Sequence, residues 1–329
     1  VRKSRALLFP YFLNNHGEQI VADATSPTSQ IHQTTPALVL AVNEAQYKAH
    51  TMDHEPTRYL LSSAVAGALI ALILAVCLKM GQVLFAGKVA AYYVPVSAFF
   101  GVALSTIIIC KVELFTSNIM YLTFGRLAGV ANTRQMLQSW LMVYLGNALG
   151  IAVFAWVFMS ANSWGTVTAE HLLFNVVQHK VEASFAAIFW KGVLCNWVIC
   201  LAVWVPLKLS NEVAKILMTL CLVFVFFFSG FEHSIANMAF FALAWVYGGL
   251  EILPLSHALH NLIPATLGNI VGGAVLVGML MYRLERHTLP DGWVKPRQSV
   301  AGVPSESVPA SAHAPTQASV AGFTPAQSK

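Results

Sequence analysis

Six stretches of this chain are apolar over a length that crosses a bilayer: residues 60–80, 89–125, 135–160, 185–207, 213–247 and 257–282. The pattern predicts an all-α polytopic membrane protein with six transmembrane helices. Two of the stretches are too long for that simple picture. At 1.5 Å per residue, 89–125 would make a helix of about 55 Å and 213–247 one of about 52 Å, against about 30 Å of hydrocarbon. Each also carries charge at its middle, Lys111 and Glu113 in the second stretch, Glu232 beside His233 in the fifth. An ionisable group at bilayer depth costs at least ~2.5 kcal/mol unless it faces protein or water. Both stretches are therefore expected to be broken helices whose breaks face the protein interior.

The flanks read differently. Residues 1–35 are polar and aperiodic and are expected to be a disordered tail. In 36–50, Thr35 can cap and Pro36 suits the first helical position, while Leu38, Ala41, Val42, Ala45 and Ala49 recur opposite Asn43, Glu44 and Lys48. That spacing predicts an amphipathic helix lying in the membrane interface. The six-span pore domain is expected over 58–285, and residues 286–329, rich in Pro, Ala and Ser, as a second disordered tail. The short apolar run near Val1 is cut by Pro10 and Asn14, so no cleavable signal is expected.

Composition agrees with the span pattern. Of 329 residues 57% are apolar and 10% charged, against roughly 25% charged in a soluble domain. A water-soluble globule is excluded on that ground. The net charge of +5 includes no basic run interleaved with aromatics, so no nucleic-acid partner is expected. The positive excess instead reports topology: with both termini inside, the inner flanks hold Lys48, Arg58, Arg126, Arg134, Lys208, Lys215, Arg283 and Arg286, and the outer ones Lys79, Lys88 and Lys180. Cys77, Cys110, Cys195, Cys200 and Cys221 lie in or beside apolar segments at spacings that fit neither zinc nor a disulfide framework, so no metal and no cofactor is expected.

The two breaks repeat one pattern. Glu113-Leu-Phe-Thr-Ser-Asn118 and Glu232-His-Ser-Ile-Ala-Asn237 share Glu, four residues, then Asn, and Gly146-Asn147-Ala-Leu-Gly150 matches Gly268-Asn269-Ile-Val-Gly272 further on. The repeat unit is three spans long, and an odd number inverts the second copy. Paired interrupted spans in inverted halves point to a solute path near the midplane. Half-helix N-termini there offer backbone N–H groups, with Thr116, Ser117 and Ser234 available as caps, an arrangement that favours an anion. Glycine and asparagine on a membrane helix also serve close packing, which is the reading favoured for Gly146, Asn147, Gly268 and Asn269. Glu113 and Glu232 either brace the breaks, the favoured role, or contact a solute. His233 faces Leu114 in the alignment of the halves, so symmetric bracing does not account for it, and it is singled out for function.

Four motifs carry a resemblance. Glu113-Leu-Phe-Thr-Ser-Asn118, Cys195-Asn-Trp-Val-Ile-Cys-Leu-Ala-Val-Trp204, Gly230-Phe-Glu-His-Ser-Ile-Ala-Asn-Met238 and Asn261-Leu-Ile-Pro-Ala-Thr-Leu-Gly-Asn-Ile-Val-Gly-Gly273 resemble the formate/nitrite transporter family over about residues 36–285. The resemblance implies an aquaporin-like protomer, a pore in each subunit of a homopentamer in a bacterial cytoplasmic membrane, and transport of small monovalent anions of weak acids. It makes His233 the central pore histidine, Asn196 the asparagine that hydrogen-bonds it, and Thr116 part of the loop at the first break with Leu114 and Phe115. It assigns Phe100 and Leu104 to a cytoplasmic constriction, and Phe226 with Leu114 and Phe115 to a periplasmic one. Glu113, Asn118, Glu232 and Asn237 mark the breaks. Met120-Tyr-Leu-Thr-Phe-Gly125 and Phe241-Ala-Leu-Ala-Trp245 resemble the nitrite branch, while Asn261-Leu-Ile-Pro264 suits formate members equally.

The expected partners are nitrite or formate, protons and the bilayer. Outer lysines (Lys79, Lys88, Lys180, Lys191) would concentrate anions, and His233 would let the solute cross the apolar constrictions as its neutral acid. The alternatives are another short monocarboxylate or hydrosulfide as solute, or a membrane scaffold with a vestigial pore. A metalloenzyme using His233, His257 and His260 lacks His-Glu-x-x-His, and no enzymatic activity is expected.

Overall fold

The apolar stretches fold into helices whose ends are set by caps and left-handed turns rather than by the limits of the apolar runs. The computed structural model describes residues 35–293; the rest of both expected tails, 1–34 and 294–329, lies outside the described residues. Helix α1 is Ala37–His54. The first span, α2, is Pro56–Ala86, with proline at its start, where the missing N–H is no loss. The second span is broken as its length demands: α3 (Tyr93–Cys110) stops at Lys111, which turns the chain with φ of 51°, and α4 (Phe115–Ala128) restarts after four residues and ends at Gly129 with φ of 80°. The third span, α5 (Thr133–Ser160), opens on a reciprocal capping box between Asn132 and Gln135.

A short helix outside the spans, α6 (Leu172–Glu182), precedes the second half. That half repeats the order with α7 (Phe185–Trp204), the broken pair α8 (Glu212–Phe228) and α9 (Ser234–Ile252), and α10 (Leu255–Val271). The last span continues through a π-helical stretch, Gly272–Met279, into α11 (Leu280–Glu285). Within each half the outer spans pack backbone to backbone. A Cβ on Gly150 would lie 1.7 Å from the carbonyl oxygen of Ala64, and one on Gly268 2.2 Å from that of Phe189. The glycines of both Gly-Asn motifs therefore do serve close helix packing.

Two expectations about the flanks change. The apolar side of α1 does not face lipid: Leu38, Ala41, Val42 and Ala45 are fully buried, Ala45 against Gly125 of α4. Lys48, placed by periodicity on the polar side, is buried as well, because an acidic partner waits inside. At the other end order runs past residue 286, through a turn at Arg286–Thr288 to buried Leu289 and to Trp293, which packs on the core.

Candidate functional site at the two helix breaks

Each break leaves backbone groups without helical partners, and in both an asparagine from the third span of the same half supplies them. Asn147 accepts the Phe115 N–H at 3.0 Å and donates to the carbonyls of Glu113 (2.9 Å) and Ser63 (2.7 Å). Asn269 accepts the Ser234 N–H at 2.9 Å and donates to Glu232 and Gly192 carbonyls, both at 2.9 Å. These asparagines hold the half-helices in place, a role beyond the packing favoured from sequence. The hydroxyls expected to cap do not: Ser117 donates back to the Leu114 carbonyl at 3.0 Å, and the buried Ser234 hydroxyl has no partner among the described residues. Their positions fall inside the first turn, whereas the capping positions belong to Leu114 and His233.

The glutamates are braces with cations attached. Glu113 accepts two bonds from Lys48 Nζ (2.7 and 2.9 Å) and one from Asn118 (2.7 Å), whose amide also reaches the Tyr59 hydroxyl. Glu232 accepts from Lys180 (3.0 Å), Asn237 (2.6 Å) and Asn261 (3.3 Å). A carboxylate at this depth is tolerable only because it is paired with a cation and accepts further hydrogen bonds. Lys48 and Lys180 are readable from sequence only as topology or steering charges, since their partners lie 65 and 52 residues away.

The copies differ in the side chains that meet between them. His233 Nδ1 accepts the Ala236 N–H at 3.0 Å and so carries no hydrogen. Its ring hydrogen is on Nε2, which is 3.1 Å from Thr116 Oγ1 and donates to it, leaving the Thr116 hydroxyl hydrogen free to donate in turn. One residue from each half thus meets at the centre. Beside them opens a cavity of about 140 Å³ lined by Val176, Lys180, Phe226, Phe231, His233 and Phe240 among others.

Asn196 does not bond His233. Its amide donates to the carbonyls of Thr116 (3.2 Å) and Asn269 (2.7 Å), bridging the first turn of α4 to the asparagine that holds α9. The bridge depends on Gly273 having no side chain, since a Cβ there would lie 2.4 Å from the amide nitrogen. The Cys200 thiol also points to the Thr116 carbonyl, at 3.5 Å.

Known proteins are similar to this chain in fold and in sequence. A family model described as formate/nitrite transporter matches residues 36–283, which takes in both halves up to the last turn of α11. The chain belongs to the formate/nitrite transporter family. Among its relatives, the uncharacterized transporter YwcJ of Bacillus subtilis is 33% identical over 76% of this chain and 98% of its own length. The nitrite transporter NirC of Escherichia coli is 36% identical over 73% and 87%, and the formate channel FocA of Haemophilus influenzae 32% over 75% and 92%. A solved structure of an FNT family ion channel superposes with a TM-score of 0.72 at 31% identity, covering 75% of this chain and 98% of that one. A second, a pentameric formate channel with formate bound, gives 0.58 at 24%, covering 70% of this chain and 97% of that one, a likeness of fold.

Within this formate/nitrite transporter chain the apolar constrictions need regrouping. Phe100 lies with its ring centroid 6.1 Å from that of Phe226 and 4.4 Å from that of Phe227, and Phe226 is 5.8 Å from the His233 ring. Phe100 and Phe226 therefore form one aromatic layer on the His233 side rather than opposite constrictions. Leu104 is buried one turn further along α3, and Leu114 and Phe115 are buried at the first break, Phe115 edge-on to Tyr144 at 4.9 Å. Helical spacing puts Phe100 and Leu104 on one face but says nothing of depth. Of the lysines expected to draw anions, Lys180 alone lines the cavity; Lys79 donates to the Ser163 carbonyl instead. His260 bonds the Ala183 carbonyl at the end of α6.

Proposed function

We propose that the chain passes nitrite across the bacterial cytoplasmic membrane together with a proton, with Thr116 and His233 as the station where the solute is received. The coarser statement needs no proposal: a member of this family with six spans is a multi-pass membrane transporter of small anions of the formate and nitrite type. Nitrite is preferred over formate because identity to the nitrite transporter NirC, 36%, exceeds that to the formate channel FocA, 32%. The termini are assigned to the cytoplasm, since setting aside the internally paired Lys48 and Lys180 leaves seven inner basic residues against two outer ones. A homopentamer with a pore in each subunit is the assembly proposed, by analogy with the pentameric formate channel of the same fold.

The observation that carries the reading is the hydrogen bond between Thr116 and His233 where two half-helix N-termini converge. An anion entering the cavity meets Lys180 first, which raises its local concentration. At the station it accepts the Thr116 hydroxyl hydrogen, a bond polarised by His233 behind it. Apart from Lys180 and Asn237 the side chains lining the cavity beside His233 are apolar, and burial disfavours the charged form of a weak acid, so the bound anion takes up a proton from vestibule water and crosses the remaining Phe and Leu side chains neutral. His233 serves as a neutral donor, because a proton on Nδ1 would break the bond that starts α9. Flux into proteoliposomes of nitrite, formate, chloride and an uncharged solute, at two pH values, tests the proposal. Selective nitrite flux rising with acidity supports it, and no selective flux at either pH overturns it. His233→Ala is expected to lose the proton-linked component; wild-type flux with unchanged pH dependence would exclude the station.

A further inference from the structure

Helix α6 lies outside the six spans, yet it carries Val176 and Lys180 to the cavity and sets Lys180 against Glu232, the neighbour of His233. Its hold on the protein differs at its two ends. At the start, the Leu172 N–H is taken by Gln82 of α2 at 2.7 Å and the Leu173 N–H by His171 Nδ1 at 3.1 Å. At the end, Asn261 donates to the Lys180 carbonyl and His260 Nε2 bonds the Ala183 carbonyl, both at 3.0 Å. The histidines thus act with opposite sign: His260 can donate whether neutral or charged, whereas His171 can accept only while Nδ1 is bare.

We propose that His171 is an acid-sensitive positioning residue of α6, the helix that carries Val176 and Lys180 to the cavity: its neutral ring caps the start of that helix, and its protonation releases that start while the end stays held. The ring is buried and stacked on Trp164 with centroids 5.1 Å apart, and Trp164 is stacked in turn on Tyr247 of α9. Charged groups nearby do not counter the switch. Lys79 of α2 is engaged with the Ser163 carbonyl, Glu170 is exposed in the preceding turn, and no ion pair to His171 occurs among the described residues. Burial holds its imidazole below the usual histidine range, so the neutral, capping form persists through neutral pH. As pH falls through that lowered value, Nδ1 becomes a donor facing an N–H donor at the positive end of a helix, and the cap is lost.

The experiment is hydrogen exchange of the α6 amides in the full-length protein in liposomes, near neutral pH and in acid, corrected for intrinsic rates. In the wild type, protection is expected to fall about five- to tenfold in acid, the equivalent of one lost cap. His171→Asn supplies a carbonyl oxygen that caps without titrating, and it should abolish that fall; His171→Ala should be poorly protected at both pH values. An equal acid loss in wild type and His171→Asn, no loss in wild type, or full protection in His171→Ala overturns the proposal. Nitrite flux supplies a second readout, a downturn at the acid end in wild type that His171→Asn removes. Only that readout rests on the transport reading, so exchange succeeding where flux is absent would fault the solute assignment and not the switch.

Discussion

The two helix breaks share a frame and differ in three parts. Both use a glutamate followed after four residues by an asparagine, a lysine on the glutamate and a second asparagine from the third span of the half. The first break has Leu114 before its half-helix, with no side-chain cap, and the second has His233, which caps through Nδ1. The first lysine comes from α1, ahead of the repeat, and is 7% exposed; the second comes from α6, between the halves, and is 14% exposed. The polar group on the amide of the bracing asparagine is Tyr59 in one and Asn261 in the other. What holds a broken helix in the membrane recurs in both copies, while the two side chains that meet at the centre do not: Leu114 stands where the second copy has His233, and Ile235 where the first has Thr116.

Making the breaks alike should have the largest effect on transport. His233→Leu copies Leu114 into the second half and is expected to lower nitrite flux about 10- to 100-fold, the worth of the bond from Thr116 to the anion once His233 no longer orients that hydroxyl, with folding retained because Asn269 still holds the Ser234 N–H. Proteoliposome flux and the elution profile of the purified protein check the two halves of that statement. Breaking the ion pairs comes next and should separate the halves. Lys48→Met leaves Glu113 buried without a countercharge and with Asn118 as its one remaining donor, and should cost about 3–5 kcal/mol of stability. Lys180→Met should cost less, since Glu232 keeps two amide donors where Glu113 keeps one. Thermal unfolding in detergent orders the two, and an equal loss would contradict the asymmetry. Asn147→Ala and Asn269→Ala should destabilise by a similar amount in each half, about 3 kcal/mol for three lost bonds. The smallest effect belongs to Cys200→Ser, a few tenths of a kcal/mol, since a hydroxyl can replace a thiol contact of 3.5 Å.

Much of this architecture was legible in the chain because it follows from length and charge. A 37-residue apolar stretch with Glu113 at its middle cannot be one helix, and the recurrence of Glu and Asn at equal spacing exposes the repeat. The partners of those residues were not legible. Periodicity places Lys48 on a solvated face because it sees only neighbours along α1, while the carboxylate that draws the ammonium inward is brought by α3 and α4. The same blindness to depth separates Phe100 from Phe226. Asn196 falls in the expected neighbourhood, but whether an amide points at an imidazole or at two carbonyls is decided by the close approach of Gly273, which no spacing along α7 reveals.

The pair between Lys48 and Glu113 also constrains the order in which the protein can be made. Neither charge can be dehydrated alone without a penalty of several kcal/mol, and the two are delivered by segments that leave the ribosome 65 residues apart. The first break therefore cannot close dry until α1, which is not itself a span, has been kept at hand and docked. Biogenesis of the first half is thus gated by a helix that contributes nothing to crossing the bilayer, whereas the second half receives Lys180 from the segment synthesised immediately before its own spans.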